Sequence, residues 1–94
     1  MKEKIITVSN KMGLHARPAA LLVQMTSRFK ADVKILKDDF EVDAKSIMGI
    51  MTLAAAPGCE LKFTADGPDE NEVLEAVEKL FNEGFGEQER NNAG

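Results

Sequence analysis

Apolar and polar residues alternate along four stretches of the chain, as they do in β-strands with one buried face. The four stretches are residues 2–8, 32–37, 40–45 and 60–66. In the first stretch, Ile6 and Val8 share the face that we expect to be buried. In the third, Phe40, Val42 and Ala44 are predicted to point into the core, and the positions between them are charged.

A period of about 3.6 residues replaces the alternation in the segments between these strands and predicts helices. The first helix is expected from residue 16 to residue 28, with Pro18 in its first turn, where a missing N–H is tolerated. The second is short, from residue 47 to about residue 53, and Ser46 is placed to cap its N-terminus.

A third helix is predicted after residue 69. Asp69 and Glu72 have the spacing of a capping box. The apolar stripe that follows consists of Val73, Leu74, Val77, Leu80 and Phe81. We expect Gly84 and Gly86 to end this helix. Residues 87–94 offer almost no apolar surface to bury and are predicted to be a flexible tail.

The order of elements is strand, helix, strand, strand, helix, strand, helix. Strands with one apolar face favour a mostly antiparallel sheet, with the helices on one side and water on the other. A length of 94 residues is typical of one compact domain. The pattern therefore predicts a single α+β domain.

Composition and charge exclude several classes of protein. The chain has 12 basic and 16 acidic residues, which argues against a general nucleic-acid binder. Its one cysteine, Cys59, cannot form an internal disulfide, as is usual in a reducing compartment. The longest uncharged interior stretch, residues 46–59, is too short to span a bilayer, and the N-terminal segment is not a signal peptide. We expect a cytoplasmic protein without membrane insertion.

The only histidine, His15, lies at the predicted start of the first helix, two residues before Arg17. The backbone N–H groups and partial positive charge of a helix N-terminus, together with the guanidinium, disfavour a protonated imidazole. The same groups favour an anion attached to the ring. We therefore predict that His15 is a nucleophile that carries a phosphoryl group, with Arg17 stabilising the phosphate.

Other interpretations of His15 are open at this point. A lone histidine at a helix start is more often a cap or a surface residue than a nucleophile. A metal site has little support, because the chain has no second histidine and only one thiol, and we expect no metal and no cofactor. A serine hydrolase would need a nucleophile elbow, which is absent. A small acid/base enzyme lacks a second catalytic group, and a purely regulatory binding module would leave His15 unused.

A surface for binding partners is predicted beside His15. Its outward positions are Arg17, Leu21, Gln24 and Arg28 on the first helix and Ile47, Met48 and Met51 on the second. Exposed methionines suit surfaces that bind several partners. Core packing of the second helix, and a solvated first helix with one exposed leucine, are the simpler alternatives.

Ser46 is the remaining candidate for regulation. As an N-cap it has a structural role worth about 1 kcal/mol. A phosphate added there would be tolerated by the helix end and would bring nearly two negative charges. Phosphorylation of Ser46 is therefore predicted to alter binding without unfolding the protein.

Two segments, GLHARPAALLVQ at residues 13–24 and AKSIMGIMTLA at residues 44–54, resemble the signature segments of the HPr family. Its members are the histidine-containing phosphocarriers of the bacterial phosphoenolpyruvate-dependent sugar phosphotransferase system. The resemblance covers residues 1–86, with the spacing from His15 to Ser46 preserved. It implies an open-faced β-sandwich, in which a four-stranded antiparallel sheet carries three helices on one face.

The resemblance also implies the roles of individual residues. His15 would accept a phosphoryl group at Nδ1 from enzyme I and pass it to enzyme IIA domains, so that the protein is a carrier and not an enzyme. Arg17 matches the family's phosphate-stabilising arginine, and Ser46 matches the serine that HPr kinase phosphorylates. The family's contact patch matches Ile47, Met48 and Met51, with Ala20, Gln24 and Arg28 beside them. A transcription factor of catabolite repression is a further expected partner, and a monomer is the expected state.

Two positions refine the resemblance. Met12 stands where many relatives carry a small polar residue near the phosphate, so no polar contact is expected from its side chain. One branch of the family carries glutamine in place of the histidine and acts only as a regulator. His15 places this chain outside that branch.

Overall fold

The computed structural model describes residues 1–9 and 11–86. In this part of the chain the elements are β1 (Lys2–Thr7), α1 (Ala16–Thr26), β2 (Asp32–Lys37), β3 (Phe40–Asp43), α2 (Ile47–Thr52), β4 (Glu60–Asp66) and α3 (Glu70–Asn82), followed by a 3₁₀ turn at Gly84–Gly86. The predicted order of elements is confirmed. The predicted flexible tail, residues 87–94, lies outside the described residues.

The strands form one sheet in the order β1-β4-β2-β3, and all three pairs of neighbours are antiparallel. Along β4, Leu61, Phe63 and Ala65 are buried, whereas Glu60, Lys62 and Asp66 on the other face are exposed. The helices pack on the buried face, with α3 against β1 and β4 and α2 against β3. The α+β open-faced sandwich is therefore confirmed.

One predicted core residue is exposed. Phe40 has an exposed fraction of 52%, although Val42 and Ala44, which follow it in the same alternation, are buried. Phe40 is the first residue of the edge strand β3, directly after the hairpin turn, and it pairs only with Lys37 of β2. The helix α2 begins after the C-terminal end of β3, so it does not cover Phe40 at the N-terminal end of the strand. The prediction that Phe40 is a core residue is wrong.

The predicted capping box at the start of α3 is also wrong. Asp69 is the N-cap residue, but its carboxylate makes no hydrogen bond to the helix. Instead, the carboxylate accepts hydrogen bonds from the backbone N–H groups of Lys30, at 2.9 Å, and Ala31, at 2.8 Å. The Lys30 N–H, with that of Ala31, lowers the pKa of the Asp69 carboxyl, against a smaller opposing effect of desolvation. Asp69 thus ties the segment after α1 to the start of α3.

The hydrogen bonds that the Asp69 carboxylate accepts predict that the stability of the fold depends on pH. Because the folded-state pKa of Asp69 is lowered, its stabilisation is complete above the unfolded carboxyl pKa of about 3.9 and is lost as the pH falls through the folded pKa. Asp69→Asn removes the ionisable group, so we expect a lower urea midpoint at pH 7 and a smaller further loss on acidification. Urea titrations at pH 7 and in acid, with the exposed turn residue Asp39→Asn as control, measure this. Equal acid sensitivity of Asp69→Asn and the unmodified protein would contradict the account.

Candidate functional site

His15 is the N-cap residue of α1, as the sequence predicts. Its backbone is extended, with φ −87° and ψ −168°, and its carbonyl accepts the hydrogen bond from the Ala19 N–H at 3.0 Å. The imidazole makes no capping hydrogen bond to α1, and the residue is half-buried. The ring is therefore not used to cap the helix and is partly accessible to solvent.

The loop before His15 is held by the segment that follows α2. The buried Leu14 donates its N–H to the Ala55 carbonyl at 3.0 Å. Gly13 has a φ of +69°, and a Cβ at this position would clash with the Ala55 carbonyl oxygen. A glycine is required here for two reasons, the left-handed backbone and the close approach. These contacts position His15 relative to α2.

The two helices of the site run in opposite directions. At the end of α1, the buried Thr26 hydroxyl donates to the Ala44 carbonyl at 2.8 Å. At the start of α1, the loop containing Leu14 bonds to Ala55, which follows α2. The start of α1, with His15, therefore lies beside the end of α2. Because α1 has 11 residues and is about 16 Å long, Ser46 lies beside its opposite end.

The predicted contact residues lie mainly on exposed parts of these helices. Those with exposed side chains are Arg17, Gln24, Arg28, Ile47, Met48 and Met51. Together with Ala20 and Leu21, which are half-buried, they define what we call the contact surface. Leu21 is less exposed than expected, because it packs against the core on a helix that lies between α2 and α3.

Ser46 is the N-cap of α2, which confirms that prediction. Its side-chain oxygen accepts a hydrogen bond from the Gly49 N–H at 3.0 Å, and its carbonyl accepts one from the Ile50 N–H. The residue is half-buried and precedes the exposed Ile47 and Met48. The serine thus has a structural role in the cap and remains partly accessible at the edge of the contact surface.

Acidic residues are unevenly distributed along the chain and are absent from the segments that carry the contact surface. Residues 11–31 and 44–59, which carry α1 and α2, contain none of the 16 acidic residues. Their basic residues are Lys11, Arg17, Arg28, Lys30 and Lys45. An acidic protein therefore presents one region that favours anions and acidic partners. The absence of acidic residues from these segments can be seen in the sequence, which also places Lys11 four residues before His15.

Within residues 1–9 and 11–86, no three or more His, Cys, Asp or Glu side chains are grouped so that they could hold a metal ion. None of the helices in this part of the chain has the length and apolar character needed to cross a membrane.

Comparison with known proteins adds independent information. The family described as "PTS HPr component phosphorylation site" matches residues 2–83. The chain is 48% identical over 88 residues to phosphocarrier protein HPr of Treponema pallidum, an alignment that covers 94% of this chain and 100% of that protein. It is 49% identical over 77 residues to the HPr-like protein Crh of Bacillus subtilis, covering 82% and 91% of the two chains. The crystal structure of HPr-C-His from Thermoanaerobacter tengcongensis superimposes with a TM-score of 0.90, at 49% identity, over 94% of this chain and 99% of that one.

Proposed function

Because this chain belongs to the HPr family of phosphocarriers of the phosphotransferase system, we propose that it relays a phosphoryl group from enzyme I to enzyme IIA domains through a phosphohistidine at His15. The observation that carries the proposal is the position of His15. Its imidazole stands at a helix N-terminus, takes no part in the cap and lies in a segment, residues 11–31, that contains no acidic residue. A carrier needs an accessible nucleophile in a setting that accepts the phosphoryl oxygens.

The first turn of α1 contains few available donors for a phosphate on His15. Pro18 has no N–H, and Ala19 donates its N–H to the His15 carbonyl. The N–H groups of Ala16 and Arg17 are therefore the first-turn donors for the phosphoryl oxygens, and the exposed Arg17 guanidinium supplies a full positive charge. Together these groups stabilise the charge that arrives when the ring is phosphorylated.

The transfer itself requires little from the carrier. The lone pair of Nδ1 attacks phosphorus, the nitrogen–phosphorus bond forms, and the bond between phosphorus and the donor group on enzyme I breaks in line. In a second displacement of the same kind, an acceptor group on an enzyme IIA domain attacks phosphorus, its bond to phosphorus forms, and the bond between phosphorus and Nδ1 breaks. The partners hold donor and acceptor in position, and the contact surface orients the two proteins. The chain is a covalent carrier and is regenerated after each transfer.

A three-component incubation tests the relay. The full chain, enzyme I and an enzyme IIA domain are mixed with labelled phosphoenolpyruvate. We expect label on the IIA domain only when the chain is present. A purely regulatory module would leave the IIA domain unlabelled, and that result would contradict the proposal.

We further propose that phosphorylation of Ser46 by HPr kinase regulates the same surface. The serine is half-buried next to the exposed Ile47 and Met48, and a helix N-terminus tolerates a phosphate. Because Ser46 lies at the opposite end of α1 from His15, the added charge acts on docking rather than on the imidazole. A phosphorylated surface of this kind is also what a transcription factor of catabolite repression would recognise.

Ser46→Asp is expected to weaken binding of enzyme I by about threefold to tenfold at low salt, because the new charge reduces the attraction between a basic surface and an acidic partner. Aspartate is itself a good N-cap, so the fold should be retained. Affinity titrations over a range of salt concentrations measure the effect. Thr7→Asp adds the same charge to β1, outside the contact surface, and is the matched control. Equal effects of the two substitutions, or an effect of Ser46→Asp that salt does not reduce, would count against an electrostatic mechanism.

A further inference from the structure

The contact surface and the loop before His15 hold three exposed methionines. Met12 and Met48 have exposed fractions of 74% and 77%, and Met51 of 40%. The other two methionines are Met1, which is exposed at the start of the chain, and Met25, which is partly buried against the core. Apart from Met1, the exposed methionines of residues 1–9 and 11–86 therefore lie on α2 and in the loop before the proposed phosphorylation site, and Met25 is intermediate in exposure.

The three methionines near His15 come from two segments of the chain, the loop before α1 and the helix α2. Met12 precedes His15 by three residues, so their Cα atoms are at most about 11 Å apart. Met51 lies in the last turn of α2, four residues before Ala55, whose carbonyl is bonded to the residue preceding His15. Met48 lies one turn earlier on the same face as Met51. A partner that covers both the start of α1 and the outer side of α2 would therefore contact methionine side chains.

We propose that Met12, Met48 and Met51 are oxidation sites through which peroxide switches off docking of phosphotransferase partners. The inference rests on the proposed function. In the chemical step, the thioether sulfur attacks one peroxide oxygen, a sulfur–oxygen bond forms and the oxygen–oxygen bond breaks. The sulfur is oxidised by two electrons to the sulfoxide, and hydrogen peroxide is reduced to water.

The consequence follows from where these side chains lie. Sulfoxide formation turns a flexible apolar side chain into a polar one and removes the apolar contact that it makes with a partner. None of the three methionines belongs to the buried core, and Met12 and Met48 are about three-quarters exposed, so their oxidation is expected to leave the core unchanged. Docking is therefore expected to weaken while the fold persists. Methionine sulfoxide reductases reverse the reaction, so the change is a switch and not only damage.

The experiment compares the unmodified chain with a variant carrying Met12→Leu, Met48→Leu and Met51→Leu. Leucine keeps the side chains apolar but cannot be oxidised. Each protein is treated with hydrogen peroxide, and its rate of phosphoryl acceptance from enzyme I at limiting concentration is divided by that of its own untreated sample. Mass spectrometry of peptides identifies the oxidised methionines, and circular dichroism during urea unfolding monitors the fold.

We expect the ratio to fall about tenfold for the unmodified chain, to recover after treatment with methionine sulfoxide reductases, and to stay near one for the triple variant. Both proteins retain Cys59, so thiol oxidation would lower both ratios equally. Equal loss in the two proteins, or full activity with the three methionines oxidised, would overturn the inference. Absence of transfer by the untreated, unmodified chain would contradict the proposed function itself, and the inference with it.

Discussion

His15→Ala is expected to reduce phosphoryl transfer from enzyme I to the background level. The imidazole is the only histidine side chain of the protein, and no other residue in the first turn of α1 offers a comparable nucleophile. The fold should remain, because His15 lies at the end of α1, outside the buried core, and is only half-buried. We expect a loss of less than about 1 kcal/mol in the free energy of unfolding.

Two measurements check this prediction. Label from phosphoenolpyruvate is followed on an enzyme IIA domain with each variant as the only carrier, and urea unfolding reports stability. Ile5→Ala truncates an exposed residue of β1 on the helix-free face of the sheet and serves as control, since it lies outside the contact surface. Continued relay by His15→Ala would contradict the assignment of the nucleophile. Loss of relay in Ile5→Ala as well would mean that the assay reports general damage.

The second large effect is expected for Gly13→Ala. A left-handed residue with a Cβ costs about 1–2 kcal/mol, and at position 13 the Cβ must also displace the Ala55 carbonyl. The Leu14 N–H donates to that same carbonyl, so the loop that carries His15 must move. We expect a loss of at least about 2 kcal/mol in stability, together with slower phosphoryl acceptance.

Gly58→Ala separates the effect of the left-handed backbone from the effect of the clash with the Ala55 carbonyl. Gly58 has a φ of +90°, and a Cβ there would meet no atom within 4 Å, so this variant experiences the backbone strain without the collision. Urea unfolding and the rate of phosphoryl acceptance are measured for both variants. Gly13→Ala should lose more stability and more activity than Gly58→Ala. Equal losses would show that the close approach to Ala55 does not position the site.

The local pattern of the sequence was sufficient for the elements and for most of their buried faces. Ile6, Val8, Leu61 and Phe63 are buried as the alternation predicts, because each strand has one face covered by helices. Ser46 was recognisable as a cap because a serine directly before an apolar helical run satisfies an N–H of the first turn. Such features depend on residues close together in the chain.

The errors concern contacts between residues far apart in the chain. Asp69 bonds to Lys30, 39 residues away, and nothing in the local capping pattern distinguishes that partner from the helix N-terminus. Phe40 continues the apolar alternation, but its exposure depends on where α2 crosses the sheet. The placement of His15 beside the end of α2 likewise follows from the Leu14–Ala55 bond and could not be deduced from periodicity.

The most direct test of the central claim is the chemical position of the phosphoryl group after the first transfer. The full chain is incubated with phosphoenolpyruvate and enzyme I alone, and the product is analysed by peptide fragmentation and by phosphorus NMR at neutral and acidic pH. The account predicts one acid-labile phosphoryl group, bonded to Nδ1 of His15. An acid-stable phosphate on Ser46 or another hydroxyl, or a chain that stays unphosphorylated beside active enzyme I, would contradict it.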